Sequence, residues 1–129
     1  MQSLWNDKKA QDFQDDQLQL RAYSSRLLGE NDQLILHGGG NTSIKVSESD
    51  IYGEQRDVLY IKGSGHDLKT IEVDGFTPVD LKYVKKLATL EKLSDSEMIP
   101  QMKLSMLNPN SPLPSVETIL HGLIPFKFV

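Results

Sequence analysis

The sequence predicts an α/β domain with a mainly antiparallel sheet. Three observations carry this. A helical period runs from Asp15 to Leu28, short β-rich stretches follow it, and a helical period returns after Leu81. The gaps between the β-rich stretches hold no helix long enough for a crossover, which favours antiparallel pairing.

Each element has a local reason. Leu20, Tyr23 and Leu27 recur at helical spacing, and Leu28 widens the apolar stripe. Asp15 and Asp16 suit the positive end of that helix, and Gly29 suits its C-terminal cap. Gln33–His37 reads as a short buried strand, broken by Gly38-Gly39-Gly40-Asn41. Thr42–Ser47 is β-branched and partly alternating, so it reads as a second strand. Residues 49–54 form a turn, and Asp57–Lys62 is a third strand closed by Gly63-Ser64-Gly65. Leu81, Val84, Leu87 and Ala88 share one helical face, while Lys82, Lys85 and Lys86 point elsewhere. Ser94-Asp95-Ser96-Glu97 fits a capping box and so opens another helix. The Asn- and Pro-rich stretch 108–114 is an extended loop. Ser115 is placed to cap a last helix through Glu117 and Leu120, ended by Gly122 and Pro125. Pro125–Val129 alternates like a strand with no turn after it, which suggests a chain cut inside a domain.

Composition narrows the function. The chain of 129 residues suits one domain, or a piece of a larger one, spanning 1–129. Its 14 basic and 18 acidic residues give a net charge of −4, which argues against nucleic-acid binding by bulk positive charge. With no cysteine there is no disulfide, thiol nucleophile or cysteine-held metal. No apolar run has the length of a membrane span, and the N-terminus lacks the basic start and apolar stretch of a secretory signal. A cytoplasmic protein without a membrane partner is the expectation.

Three segments can carry chemistry. In Gly38–Ser43, glycines permit positive φ, successive N–H groups can form an anion nest, and Asn41, Thr42 and Ser43 add neutral polar groups. The segment is neither a P-loop nor a dinucleotide fingerprint, and pattern alone favours a tight hairpin turn there. Lys62-Gly63-Ser64-Gly65-His66 repeats the theme of a glycine loop leaving a strand. Lys62 could supply charge, although a lysine at a strand end is more often solvated. In Pro114-Ser115-Val116-Glu117, Ser115 could help hold an anion. Glu117 could act as a base or a metal ligand, or merely complement the helix dipole. His121 lies four residues on, with a core or surface histidine as its plainer reading. His37, His66 and His121 are scattered, without metal-ligand spacing.

Taken together and in order, Gly-Gly-Gly-Asn-Thr-Ser at 38–43, Lys-Gly-Ser-Gly at 62–65 and Pro-Ser-Val-Glu at 114–117 resemble the class II aldolase/adducin family. The nearest likeness is to the rhamnulose-phosphate aldolase part of bacterial bifunctional aldolase/short-chain dehydrogenase proteins, and it extends over nearly the whole chain. The resemblance implies a three-layer α/β/α sandwich, of which this chain is the N-terminal part. It implies a metal-dependent lyase that cleaves a ketose 1-phosphate to dihydroxyacetone phosphate and an aldehyde. Glu117 would move the proton and is the one possible metal ligand. Gly40, Asn41, Ser64, Gly65 and Ser115 would contact the substrate phosphate. Val116 stands where related aldolases often have a second serine, which puts one phosphate contact in doubt. The family's His-x-His pair and later histidine would follow Phe126–Val129, so no complete metal site is expected here. A divalent metal, zinc, and a homo-oligomer are expected of the full-length protein. A non-catalytic adducin-like domain, or a sugar-phosphate dehydratase or epimerase, are the alternatives.

Overall fold

A computed structural model describes residues 2–129. Its helices are α1 (Asp7–Gln11), α2 (Gln17–Gly29), α3 (Leu81–Leu87), α4 (Asp95–Ser105) and α5 (Thr118–Leu123). Its strands are β1 (Ser43–Ser49), β2 (Gln55–Lys62) and β3 (Phe76–Asp80), in that order across one sheet. Both pairings are antiparallel, with Ile44 opposite Tyr60 and Leu59 opposite Val79.

Alternation along β2 sends side chains to two cores. Leu59 and Ile61 pack with Val79, Leu81 and Val84, beneath α3 and α5. Tyr60 faces the other way, toward Ala22, Leu68, Ile71 and Phe76 beneath α2. Helices therefore cover both faces of the sheet, giving the three-layer α/β/α arrangement.

Several elements match the sequence reading closely. Asp16 caps α2, its carboxylate accepting the Gln19 N–H at 3.0 Å. Leu81, Val84 and Leu87 are the buried face of α3. Ser94 and Glu97 form the capping box of α4. The last residues also pair with the sheet. Ser43 and Val129 exchange both backbone hydrogen bonds, and the Lys45 N–H donates to Lys127 O at 2.9 Å.

Other elements depart from it. Gln33–His37 is a turn segment, not a strand: only Ile35 packs into the core, while Leu34 and Leu36 are exposed. The third strand is instead Phe76–Asp80. Gly29 is the last residue of α2 and not a left-handed cap. A Cβ there would lie 2.3 Å from the Lys69 backbone nitrogen, so glycine is required by close approach. For the same reason the buried face of α2 is Arg21, Ala22, Tyr23, Ser25 and Gly29, and Leu28 is exposed. Ser115 does not cap α5, because that position belongs to Glu117, and Gly122 lies inside the helix.

Candidate functional site

The first glycine loop is irregular chain leading into β1, not a hairpin turn. Gly38 and Gly40 have φ of 75° and 73°, in the left-handed region that favours glycine. Lys62, at the end of β2, reaches under this loop. Its ammonium donates to Gly38 O at 3.2 Å and to His66 O at 2.6 Å. Lys62 is only 4% exposed, so it is not the solvated strand-end lysine that its position suggested. Burial pushes its pKa below the ordinary lysine value, and the charges of Asp67 and Glu117 oppose that shift.

Lys62 thereby joins the first glycine loop to the second. Within the second, Ser64 and Gly65 are exposed, and the Ser64 N–H donates to Leu113 O at 2.8 Å. That bond and a bridge between Gly63 and Pro114 bring the 113–117 segment alongside. The Ser115 N–H donates to Lys62 O at 3.3 Å. The Ser115 hydroxyl is turned inward and accepts the Glu117 N–H at 3.3 Å. The Asn41 side-chain amide donates to the Glu117 carboxylate. Asn41 Oδ1 is buried and has no hydrogen-bond partner among the described residues.

The three segments thus converge. Asn41 meets Glu117 directly, Ser115 sits against the backbone of Lys62, and Ser64 and Gly65 lie on the loop that Lys62 holds. Sequence reasoning undervalued Lys62, whose available signal was a lysine ending an otherwise apolar strand between two glycine loops. It also left His121 without a role. That side chain is buried, with Nδ1 2.8 Å from the Ser43 hydroxyl. Burial pushes its pKa below the ordinary histidine value; Glu117 opposes the shift, while Lys45 and Arg21 add to it. His37 pairs with Asp67 at 2.8 Å. Burial alone would raise the Asp67 carboxyl, but the Lys69 and Gly38 N–H groups and His37 together hold it below its usual range.

The donor set does not fit a complete metal centre. Among the described residues no three histidine, aspartate or glutamate side chains come together to hold an ion. Glu117 is bound by Asn41, His121 by Ser43 and His37 by Asp67. Nor is any described helix long and apolar enough to cross a membrane.

Comparison with known proteins places this arrangement. No family model matches the chain. It is similar to a solved structure, the N-terminal class II aldolase domain of a conserved protein from Thermoplasma acidophilum. The TM-score is 0.89 and the identity 41%, over 99% of this chain and 58% of that one. It is also 36% identical over 107 residues to the uncharacterized oxidoreductase YuxG of Bacillus subtilis (strain 168). That match covers 83% of this chain but 16% of the relative. With a TM-score of 0.89 and 41% identity along almost all of its length, the chain has the class II aldolase fold and spans 58% of that solved chain.

Proposed function

We propose that this chain supplies the phosphate-binding loops and the proton-transferring carboxylate of an aldolase acting on a ketose 1-phosphate, with rhamnulose 1-phosphate the leading substrate. The observation that carries the reading is the contact between Asn41 and Glu117, which joins the first glycine loop to the Glu117 carboxylate. Gly40, Asn41, Ser64, Gly65 and Ser115 bind the phosphate, supported by the buried charge of Lys62 beneath the loops.

Cleavage of such a substrate removes a proton from the C4 hydroxyl and breaks the C3–C4 bond. The bonding pair passes to the ketone fragment, and C3 then gains a proton to give dihydroxyacetone phosphate. Glu117 is the group on this chain that can carry a proton at that site. The electron-rich ketone fragment needs stabilisation that residues 2–129 do not supply. The divalent metal proposed for the full-length protein, zinc, would supply it as a Lewis acid, with Glu117 the candidate ligand on this chain. A cytoplasmic homo-oligomer is the proposed setting.

The test is release of dihydroxyacetone phosphate from rhamnulose 1-phosphate by the full-length, metal-loaded protein. Metal-dependent release supports the reading. No release from this or other ketose 1-phosphates, in a folded and metal-loaded sample, refutes it.

A further inference from the structure

Two side-chain bridges join the entry of β1 to α5. The outer one is Asn41 to Glu117, at the surface. The inner one is Ser43 to His121, at 2.8 Å, with Ser43 fully buried and His121 6% exposed. Asn41 and Ser43 are two residues apart at the entry of β1, and the side chains of both reach the Glu117–His121 turn. Glu117 is the N-cap of α5, and His121 lies one turn on, its N–H donating to Glu117 O at 3.1 Å. The bridges therefore stand as successive rungs between the same two elements.

The rungs differ in what competes with them. Glu117 is exposed, so water competes for its carboxylate and that bond alone defines its geometry weakly. No water competes around the Ser43 hydroxyl. Both backbone groups of Ser43 are also bonded to Val129, and its neighbour Thr42 is tied to Ser25 of α2 at 2.7 Å. Since the Ser25 hydroxyl donates its one proton to Arg21 O, Thr42 must be the donor to Ser25. The entry of β1 is thus anchored to α2, and the inner rung transfers that anchorage to α5.

We propose that His121 is a positioning residue for Glu117. Through the Ser43 hydroxyl it sets the distance between α5 and β1 at which Asn41 and the Glu117 carboxylate meet. His121's effect on turnover rests on the aldolase reading, whereas its effect on the Asn41–Glu117 contact does not.

The Asn41 side-chain amide resonances of the ¹⁵N-labelled chain report that contact directly. In Ser43→Ala and in His121→Phe they move toward their positions in Glu117→Ala. In His121→Asn, whose amide oxygen can stand near the place of Nδ1, they stay near wild type. In the full-length protein, Ser43→Ala and His121→Phe lower kcat about 10- to 100-fold with little change in KM, as misplacement of a catalytic group does, whereas His121→Asn keeps much of the wild-type turnover. Unmoved Asn41 resonances in folded Ser43→Ala overturn the proposal, and that variant decides alone if His121→Phe does not fold. Resonances that move while turnover is unchanged support the positioning role and count against proton transfer by Glu117.

Discussion

Replacing Lys62 by methionine tests whether one buried cation holds the two glycine loops together. Methionine keeps most of the stem volume and removes both hydrogen bonds, to Gly38 O and His66 O. Hydrogen bonds to a charged group each contribute about 1.5–3 kcal/mol. Two would give about 3–6 kcal/mol, but two features reduce this. The bond to Gly38 O is long at 3.2 Å, and Gly38 is exposed, so water can replace the lost donor there. Burial of the ammonium also works against it, as its lowered pKa shows. The expected loss is therefore about 1–3 kcal/mol. For a chain of this length, ~2 kcal/mol lowers Tm by roughly 6–12 °C. Thermal melts measure that loss, and amide hydrogen exchange at residues 38–41 and 63–66 locates it. A Tm within about 1 °C of wild type would refute the clamp, since even the low end of the range shifts it more. So would a lower Tm with loop exchange unchanged, because the lost stability would then lie elsewhere.

Further predictions follow from the packing and the titrating groups. Gly29→Ala forces a Cβ against the Lys69 and Leu68 backbone, so urea unfolding should show a loss of about 1–3 kcal/mol or more. Burial holds the folded His121 pKa below the ordinary histidine value, so between the two the unfolded chain binds the extra proton. Its stability contribution is full above about pH 6.5 and is lost as pH falls through the folded pKa. Melts across pH 4–7 should show this slope, and His121→Asn should flatten it; an equal slope in the variant removes His121 as its source. Zinc titrated into this chain should give no tight stoichiometric heat, because among the described residues no three histidine, aspartate or glutamate side chains come together to make a tetrahedral site. A tight site lost on mutating His37, His66 or His121 would contradict that.

What was legible in the sequence was mostly local. The Leu81–Val84–Leu87 period and the Ser94–Glu97 box act within one or two turns, so they survive folding unchanged. Leu34-Ile35-Leu36 misled because an apolar triplet looks alike in a strand and in a turn that buries one side chain under α2. Phe76–Asp80 escaped because Pro78 argues against a strand, yet proline is tolerated where β3 lies at the edge of the sheet. Of the α2 stripe, Tyr23 is buried as its period predicts, while Leu28 is exposed because the neighbouring Gly29 packs against the backbone at Lys69. At the site, the glycine loops and Glu117 were readable as motifs. The inward turn of Lys62 and the seating of His121 on Ser43 depend on long-range pairing, which spacing does not encode.

Proton transfer by Glu117 is the central step of the proposed reaction. In the full-length, metal-loaded protein, Glu117→Gln keeps the shape of the side chain and an acceptor for the Asn41 amide. It removes the titratable carboxylate. Steady-state cleavage of rhamnulose 1-phosphate should then fall about 10²–10⁴-fold in kcat, the usual contribution of a positioned acid or base. Inhibition by inorganic phosphate should change little, because the proposed phosphate contacts lie on Asn41, Ser64 and Ser115. Near-wild-type turnover in the folded, metal-loaded variant, with only a modest loss in Tm, would make Glu117 a structural cap of α5 and contradict the mechanism.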